Sequence, residues 1–317
     1  MSKYAIGINI GGTKIIAGVV DKEQGKVIGF HKIDTAHVKG SDSVLVKVID
    51  SAERAICQAG VPYSQIGSIG IGVAGQVDRK YGILLSSPNL DCYNLELKFI
   101  LEEHFDLPVY VGNDTEAITL GEMKYGSGTD FDNFVCVFVG TGIGSGIVYN
   151  RKILQGATGT AGEVGHMIVH SGGRQCSCGN NGCLEAYASR HAIEEKLLAS
   201  IKKGHKSAIQ YVMSDDKSLK SEDIVFAINH NDELVINSIT EASEYLSSGL
   251  ASVINFYNPQ AIILSGSIIN DVDLYFDLTV KKTLAKSLPA SAGSVKILKA
   301  QLDDMAGVVG ASLFTEV

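Results

Sequence analysis

Tyr4-Ala5-Ile6-Gly7-Ile8-Asn9-Ile10-Gly11-Gly12-Thr13-Lys14-Ile15-Ile16-Ala17-Gly18-Val19-Val20-Asp21 is the stretch on which the fold turns. Two apolar runs of strand length, Tyr4–Ile10 and Ile15–Asp21, flank the bend Gly11-Gly12, and a third run, Lys26–Ile33, follows a bend at Gln24-Gly25. Apolar residues then recur with a helical period at Val44, Val48, Ile49, Ala52 and Ile56. A strand at Ile66–Val73, a helix near Leu95–Glu103, a strand at Pro108–Gly112 and a helix at Asp114–Tyr125 continue the alternation. Strands that alternate with helices predict an α/β layer structure with a largely parallel component.

The pattern restarts in the middle of the chain. Phe134–Val139, Gly144–Tyr149 and Arg151–Leu154 are again apolar strands around a glycine-rich bend, Gly140-Thr141-Gly142-Ile143-Gly144-Ser145-Gly146. This restart suggests a loose internal duplication, with a cleft between two similar halves. Leu184–Tyr257 reads as mainly helical with a polar interruption at Ser214–Lys220, Ala261–Ser265 as a buried strand ending in Gly266, and Ser294–Leu298 as a last strand. Asp303 opens a final helix, Met305–Phe314. The expected division is a small N-terminal α/β domain over 1–112, with a helix at about 304–317 packing back onto it, and a large domain over 113–303.

The 317 residues suit two domains, and 45% apolar with 20% charged residues is too apolar for a disordered chain. Thirty-five glycines make about 11% of the chain against a usual ~7%, so backbone in tight turns carries much of the work. A net charge of −8 without a basic block disfavours a nucleic-acid partner. No apolar run reaches the ~18 residues of a membrane span, and the start lacks a leader pattern, so a cytoplasmic protein is expected. Six cysteines are too few for a disulfide scaffold, and Cys176, Cys178 and Cys183 crowd together beside glycines, which suggests metal in a reducing compartment.

Four motifs carry chemistry. The Gly7–Lys14 bend is either a plain glycine turn or a loop whose N–H groups, with Thr13 or Lys14, cradle phosphate. It is not a Walker A loop, because Lys and Ser/Thr stand in the wrong order and no helix follows. The Gly140–Gly146 loop resembles a dinucleotide fingerprint but precedes a strand, so a second phosphate-contacting hairpin fits better. Asp114, after Gly112-Asn113, is either a helix cap or a carboxylate at a strand's C-terminal end, able to take a proton from an attacking hydroxyl. His166 with Cys176, Cys178 and Cys183 makes a Cys₃His set that closes a tetrahedral Zn²⁺, a structural metal that would pin Glu163 and Glu185 where they suit sugar hydroxyls.

The run Val139–Ile147, then Gly156 and Gly162-Glu163-Val164-Gly165-His166, together with the Cys-x-Cys-Gly-x-x-Gly-Cys-x-Glu knuckle, resembles the ROK family (repressors, open reading frames and sugar kinases). The resemblance runs from Lys3 to about Phe314. It implies an actin-like ATPase (ribonuclease H-like) fold of two α/β domains flanking a cleft, which closes over a hexose. It also implies Asp114 as general base toward the sugar 6-hydroxyl. Gly75, Asn89, Asn113, Glu163, His166 and Glu185 would hold the sugar. Gly11, Gly12, Thr13, Lys14, Thr141 and Gly142 would surround the ATP phosphates, with Gly266, Ala306 and Gly307 near adenosine.

Ala74–Asp78, Ser87–Leu90 and Leu120-Gly121-Glu122 look most like the glucokinases of that family. Glucose is therefore the first substrate expected, with N-acetylmannosamine, N-acetylglucosamine or fructose as alternatives. The implied cofactors are ATP, Mg²⁺ and structural Zn²⁺, and the implied assembly is a homodimer. A sugar-responsive regulator is the alternative of a different class. It is disfavoured because the phosphate hairpin begins by residue 7, which leaves no room for an N-terminal helix-turn-helix, and a sugar-binding scaffold is the third. One departure from the family matters: Asn9 stands where an aspartate organises Mg²⁺ through water, which implies weaker metal affinity or a lower rate. Thr115-Glu116 and Ser145 are smaller departures, expected to touch only helix and loop surfaces.

Overall fold

The computed structural model describes residues 2–35, 38–212 and 219–316. His37 and most of the expected interruption at Ser214–Lys220 lie outside them. The chain divides into two compact units, Met1–Asp130 with Gln301–Val317, and Phe131–Ala300.

In the first unit the strands are β1 (Tyr4–Ile10), β2 (Lys14–Asp21), β3 (Lys26–Asp34), β4 (Ile66–Val73), β5 (Gln76–Asp78), β6 (Ile83–Ser87), β7 (Cys92–Leu95) and β8 (Val109–Asn113). Five of them form a sheet in the order β3-β2-β1-β4-β8. The first three strands are an antiparallel meander, and β4 and β8 join parallel to β1. Side chains alternate across a strand, so Ile6, Ile8 and Ile10 of β1 and Ile69, Ile71 and Val73 of β4 all enter one core. The helix Ser41–Ala59 supplies Val44, Val48, Ala52 and Ala55 to that core, a spacing that keeps them on one face.

The opposite face of β1 and β4 carries glycine because another helix lies directly on the sheet. A Cβ at Gly7 would stand 1.8 Å from the Val308 carbonyl oxygen, and one at Gly70 1.8 Å from that of Ala311. The helix Ala306–Ala311 therefore approaches the sheet at backbone distance. It also meets the helix Asp114–Tyr125, where a Cβ at Gly310 would fall 1.6 Å from the Ala117 carbonyl oxygen.

The boundary expected at 112/113 consequently moves to 130/131, since the helix Asp114–Tyr125 belongs with the first unit. Fully buried Glu122 secures the return of the chain, accepting hydrogen bonds from the backbone N–H groups of Ser127 at 2.9 Å, Gln301 at 3.1 Å and Leu302 at 2.9 Å. The C-terminal segment thus rejoins the first unit from Gln301, ahead of the expected 304.

The second unit holds β9 (Phe134–Val139), β10 (Ile143–Tyr149), β11 (Lys152–Ile153), β12 (Ala261–Ser265) and β13 (Lys296–Lys299), ordered β11-β10-β9-β12-β13. Position for position this is the order of the first sheet, with the same antiparallel meander and the same two parallel additions. The internal duplication expected from the sequence is present in the topology. Strand β12, flanked by parallel neighbours, is buried at all five positions, as a continuous apolar run requires. The helix Glu233–Tyr257 covers it with Leu246, Leu250 and Ile254, and its first turn is capped by the Asp232 carboxylate, which accepts from Val235 N at 3.2 Å.

A three-stranded antiparallel sheet, β5-β6-β7, was not foreseen, and neither was the helix Asp273–Lys286. The expected final helix shortens to Ala306–Ala311, flanked by single 3₁₀ turns.

Candidate active site

In the first unit, β1, β4 and β8 run parallel and end together, with Ile10, Val73 and Asn113 in register. Loops beyond the carboxyl edge of parallel strands are where α/β proteins gather their chemistry. Asn113 ends β8 and caps the next helix, its side-chain oxygen accepting from Thr115 N at 2.9 Å while its amide donates to the Gly75 carbonyl at 3.3 Å. Asp114 is the first helical residue, half-buried, with Oδ1 2.9 Å from Thr115 N. Asn113 thus takes the capping role, and the Asp114 carboxylate is placed at the strand's C-terminal end.

Asn9 lies next to it. A Cβ at Gly72 would sit 3.3 Å from the Asp114 Cα and 3.6 Å from Asn9 Oδ1. Asn9 is 9% exposed, and its Oδ1 is buried with no hydrogen-bond partner. A buried carbonyl oxygen in that state is costly to leave unpaired, so it is an acceptor waiting for a donor or a cation. A hard cation takes oxygen ligands and keeps several waters, which this amide oxygen and the neighbouring carboxylate suit.

The Gly11–Lys14 bend joins β1 to β2 and is closed by Gly11 N donating to the Lys14 carbonyl at 2.9 Å. Thr13 is exposed. Asn89, exposed on the 3₁₀ turn after β6, faces this bend, its Nδ2 3.5 Å from where a Gly12 Cβ would be. Lys14 is ion-paired with Asp304, which also binds Lys32 at 3.1 Å. Burial works against the Asp304 carboxylate's charge, but the two ammonium groups outweigh it and hold its pKa below the usual range.

Residues 115 and 116 are not the surface positions expected. Thr115 is 7% exposed, and Glu116 is ion-paired with Arg79, whose guanidinium also lies over the Phe314 ring. Burial pushes the Glu116 carboxyl up despite the Arg79 charge.

In the second unit, the Gly140–Gly142 bend joins β9 to β10 and is closed as its counterpart is, Gly140 N donating to the Gly142 carbonyl at 2.9 Å. Gly266, at φ +111°, follows the adjacent strand β12, and a Cβ there would stand 2.1 Å from the Val139 carbonyl oxygen. Arg190 braces the bend, its N–H donating to the Gly140 carbonyl at 2.9 Å and its guanidinium to Thr141 Oγ1 at 3.4 Å.

Glu163 is exposed on the turn that leads to half-buried His166. Ser145, expected on a loop surface, instead tethers this turn: its hydroxyl donates to the Gly162 carbonyl and accepts from Val164 N at 3.3 Å.

His166, Cys176, Cys178 and Cys183 place their four ligand atoms within 4.8 Å of one another. Zn–S bonds of about 2.3 Å in a tetrahedron put sulfurs about 3.8 Å apart. Cys178 and Cys183 are 3.7 Å apart at sulfur, and Cys176 Sγ is 3.8 Å from His166 Nδ1. The donor set fits zinc in type, number and spacing. Burial pushes the Cys183 thiol up to about 12 and raises Cys176 as well, while the backbone hydrogen bond from Asn180 lowers Cys178. A metal there would bind thiolates and displace protons.

Glu185, two residues beyond Cys183, has both oxygens engaged. Oε2 accepts from Ile143 N at 2.9 Å, and Oε1 accepts from Ser177 Oγ at 3.0 Å. Ser177 and Arg190 were not singled out in the sequence, and Ser145 was expected only on a loop surface. For Ser177 and Ser145 the available signal was position, one inside the knuckle and one inside the glycine loop.

A model of the ROK family matches residues 5–316. The chain is 30% identical over 308 residues to a glucokinase of Thermotoga maritima, spanning 97% of this chain and 95% of that protein. It is also 30% identical over 311 residues to a xylose repressor of Bacillus spizizenii, spanning 98% of this chain and 76% of the repressor. Among solved structures, a ROK family glucokinase from Streptomyces griseus in complex with glucose and AMPPNP matches with a TM-score of 0.85 at 31% identity, covering 98% of each chain.

Proposed function

The chain belongs to the ROK family, and from that premise we propose that it is an ATP-dependent sugar kinase that transfers the γ-phosphoryl group to the 6-hydroxyl of glucose. Full-length similarity to glucokinases supports the substrate, and the actin-like ATPase fold of the matching structure agrees with the duplicated sheets. The observation that carries the reaction is Asp114, a carboxylate held at the carboxyl edge of β8 by a cap that Asn113 already supplies.

In the proposed mechanism Asp114 accepts the proton of the sugar hydroxyl as its oxygen attacks the γ-phosphorus in line, and ADP leaves. Asn113 orients that carboxylate and, with Gly75 and Asn89, contributes the first unit's sugar contacts. Glu163, His166 and Glu185 contribute those of the second. The two glycine bends, Gly11–Lys14 and Thr141-Gly142, bring backbone N–H groups to the phosphates, and Gly266 lies near the adenosine. Lys14 reaches phosphate by exchanging its Asp304 partner for the nucleotide. Asn9, beside the Asp114 carboxylate, would help to hold Mg²⁺, which would neutralise charge on the phosphates. Zinc on His166, Cys176, Cys178 and Cys183 would brace the turn that carries Glu163.

The homodimer implied by the family and the cytoplasmic setting expected from the sequence belong to the same proposal. Among the described residues no helix is long and apolar enough to cross a membrane.

Similarity to a xylose repressor supports a second reading, a sugar-binding regulator. A coupled assay of ADP release over a panel of hexoses, 2-acetamido hexoses and xylose separates the two. Turnover highest with glucose is expected. Sugar binding without ADP release from any member would contradict the kinase and favour the regulator, and a best substrate other than glucose would correct the sugar.

A further inference from the structure

The Glu185 carboxylate joins two parts of the second unit that are far apart in sequence. One oxygen receives Ile143 N–H, at the end of the Gly140–Gly142 bend, and the other receives the Ser177 hydroxyl from inside the cysteine knuckle. Cys176 Sγ lies 3.7 Å from that second oxygen. The bend is shaped around the carboxylate, since a Cβ at Gly142 would stand 2.3 Å from Glu185 Oε2. The same short segment grips the bend on its other flank, where Arg190 N donates to the Gly140 carbonyl at 2.9 Å.

We infer that Glu185 is a positioning residue for the nucleotide loop as well as a sugar contact, and that Ser177 holds it in that role. An ionised carboxylate offers about four acceptor sites, so Oε1 can take a sugar hydroxyl while Oε2 keeps the Ile143 amide. The knuckle, the sugar and the phosphate bend are then linked through a single side chain, so whatever effect sugar has on nucleotide affinity, nucleotide has on sugar affinity by the same factor. This rests on the kinase reading for the identity of the two ligands.

The test uses the zinc-loaded full chain and reads binding and backbone protection without turnover. Hydrogen exchange over residues 139–147 and calorimetric titration with Mg²⁺-AMPPNP, with and without glucose, are compared for the wild type, Glu185→Ala, Glu185→Gln and Ser177→Ala. Loss of a hydrogen bond to a charged group should speed exchange at Ile143 by about tenfold or more in Glu185→Ala and weaken AMPPNP comparably. Glu185→Gln keeps a carbonyl oxygen for Ile143 N–H, so it should retain the protection while losing glucose affinity. Ser177→Ala should keep its zinc and show a smaller loss of about threefold in both readouts.

Unchanged exchange and AMPPNP affinity in Glu185→Ala, with glucose binding lost, would overturn the link and leave the kinase reading standing. Unchanged glucose binding as well would remove Glu185 from the sugar site too. Should Glu185→Ala lose its zinc or its fold, Ser177→Ala decides: unaltered protection over 139–147 overturns the inference.

Discussion

At the scale of single residues the proposed chemistry rests on Asp114. Replacing it with Ala should lower turnover by about 10²–10⁴-fold, the range that a positioned general base contributes, while glucose still binds. Near-wild-type turnover in a coupled assay would remove the base assignment. Asn9 makes a different prediction. Its buried Oδ1 has no partner, so Asn9→Asp places a charge where only a cation or a proton can satisfy it. The variant should need less Mg²⁺ for half-maximal activity, by about threefold or more, and its Tm should rise on adding Mg²⁺ more than the wild type's does. A Mg²⁺ titration that does not move would show that the missing charge is no handicap.

A polar cap where β8 turns into a helix was legible in the sequence, but the cap was offered to Asp114 and falls to Asn113. The burial of Glu116 was not legible, because its partner Arg79 is 37 positions away and nothing local announces an ion pair. Ser145 was undervalued for a similar reason: its tether runs to Gly162 and Val164, across a loop whose path depends on the whole unit.

At the scale of elements, the knuckle and the glycine contacts make the predictions. Metal analysis should find about one zinc per chain. Removing it with a chelator should loosen the Glu163–His166 turn, read as faster hydrogen exchange there, and a zinc-free chain with full protection over that turn would defeat the Cys₃His proposal. Where the helix Ala306–Ala311 crosses the helix Asp114–Tyr125, Gly310→Ala cannot be absorbed by a rotamer, because the obstacle is the Ala117 backbone carbonyl. Overpacking of this kind costs about 1–3 kcal/mol, so the variant should lose stability in a urea titration. A midpoint equal to the wild type's would mean that the two helices are not held at that distance.

The strands of both large sheets were legible as short apolar runs bounded by glycine bends. Ile66–Val73, Phe134–Val139 and Ala261–Ser265 fall on the positions expected for them. Strands β5 to β7 were not, being three to five residues long, with much of their surface polar or exposed. An apolar run cannot be recognised over so few residues.

At the scale of the molecule, one sheet topology is used twice, and in each copy a glycine bend joins the first two strands. The repeat was visible in the sequence as two strand-bend-strand runs. The return of the C-terminal segment to the first unit was anticipated, but the assignment of the helix Asp114–Tyr125 was not. Its place rests on Glu122 receiving the backbone of Gln301 and Leu302, a contact 179 and 180 positions apart in sequence.

The central claim is that the Asp114 carboxylate meets a hexose 6-hydroxyl whose oxygen attacks ATP. A crystal structure of the wild-type chain with glucose and AMPPNP tests it most directly. An Asp114 oxygen is expected about 2.6–3.2 Å from the glucose 6-oxygen, with the γ-phosphate in line beyond it. A carboxylate turned away from every sugar hydroxyl, or a nucleotide bound away from both glycine hairpins, would contradict it.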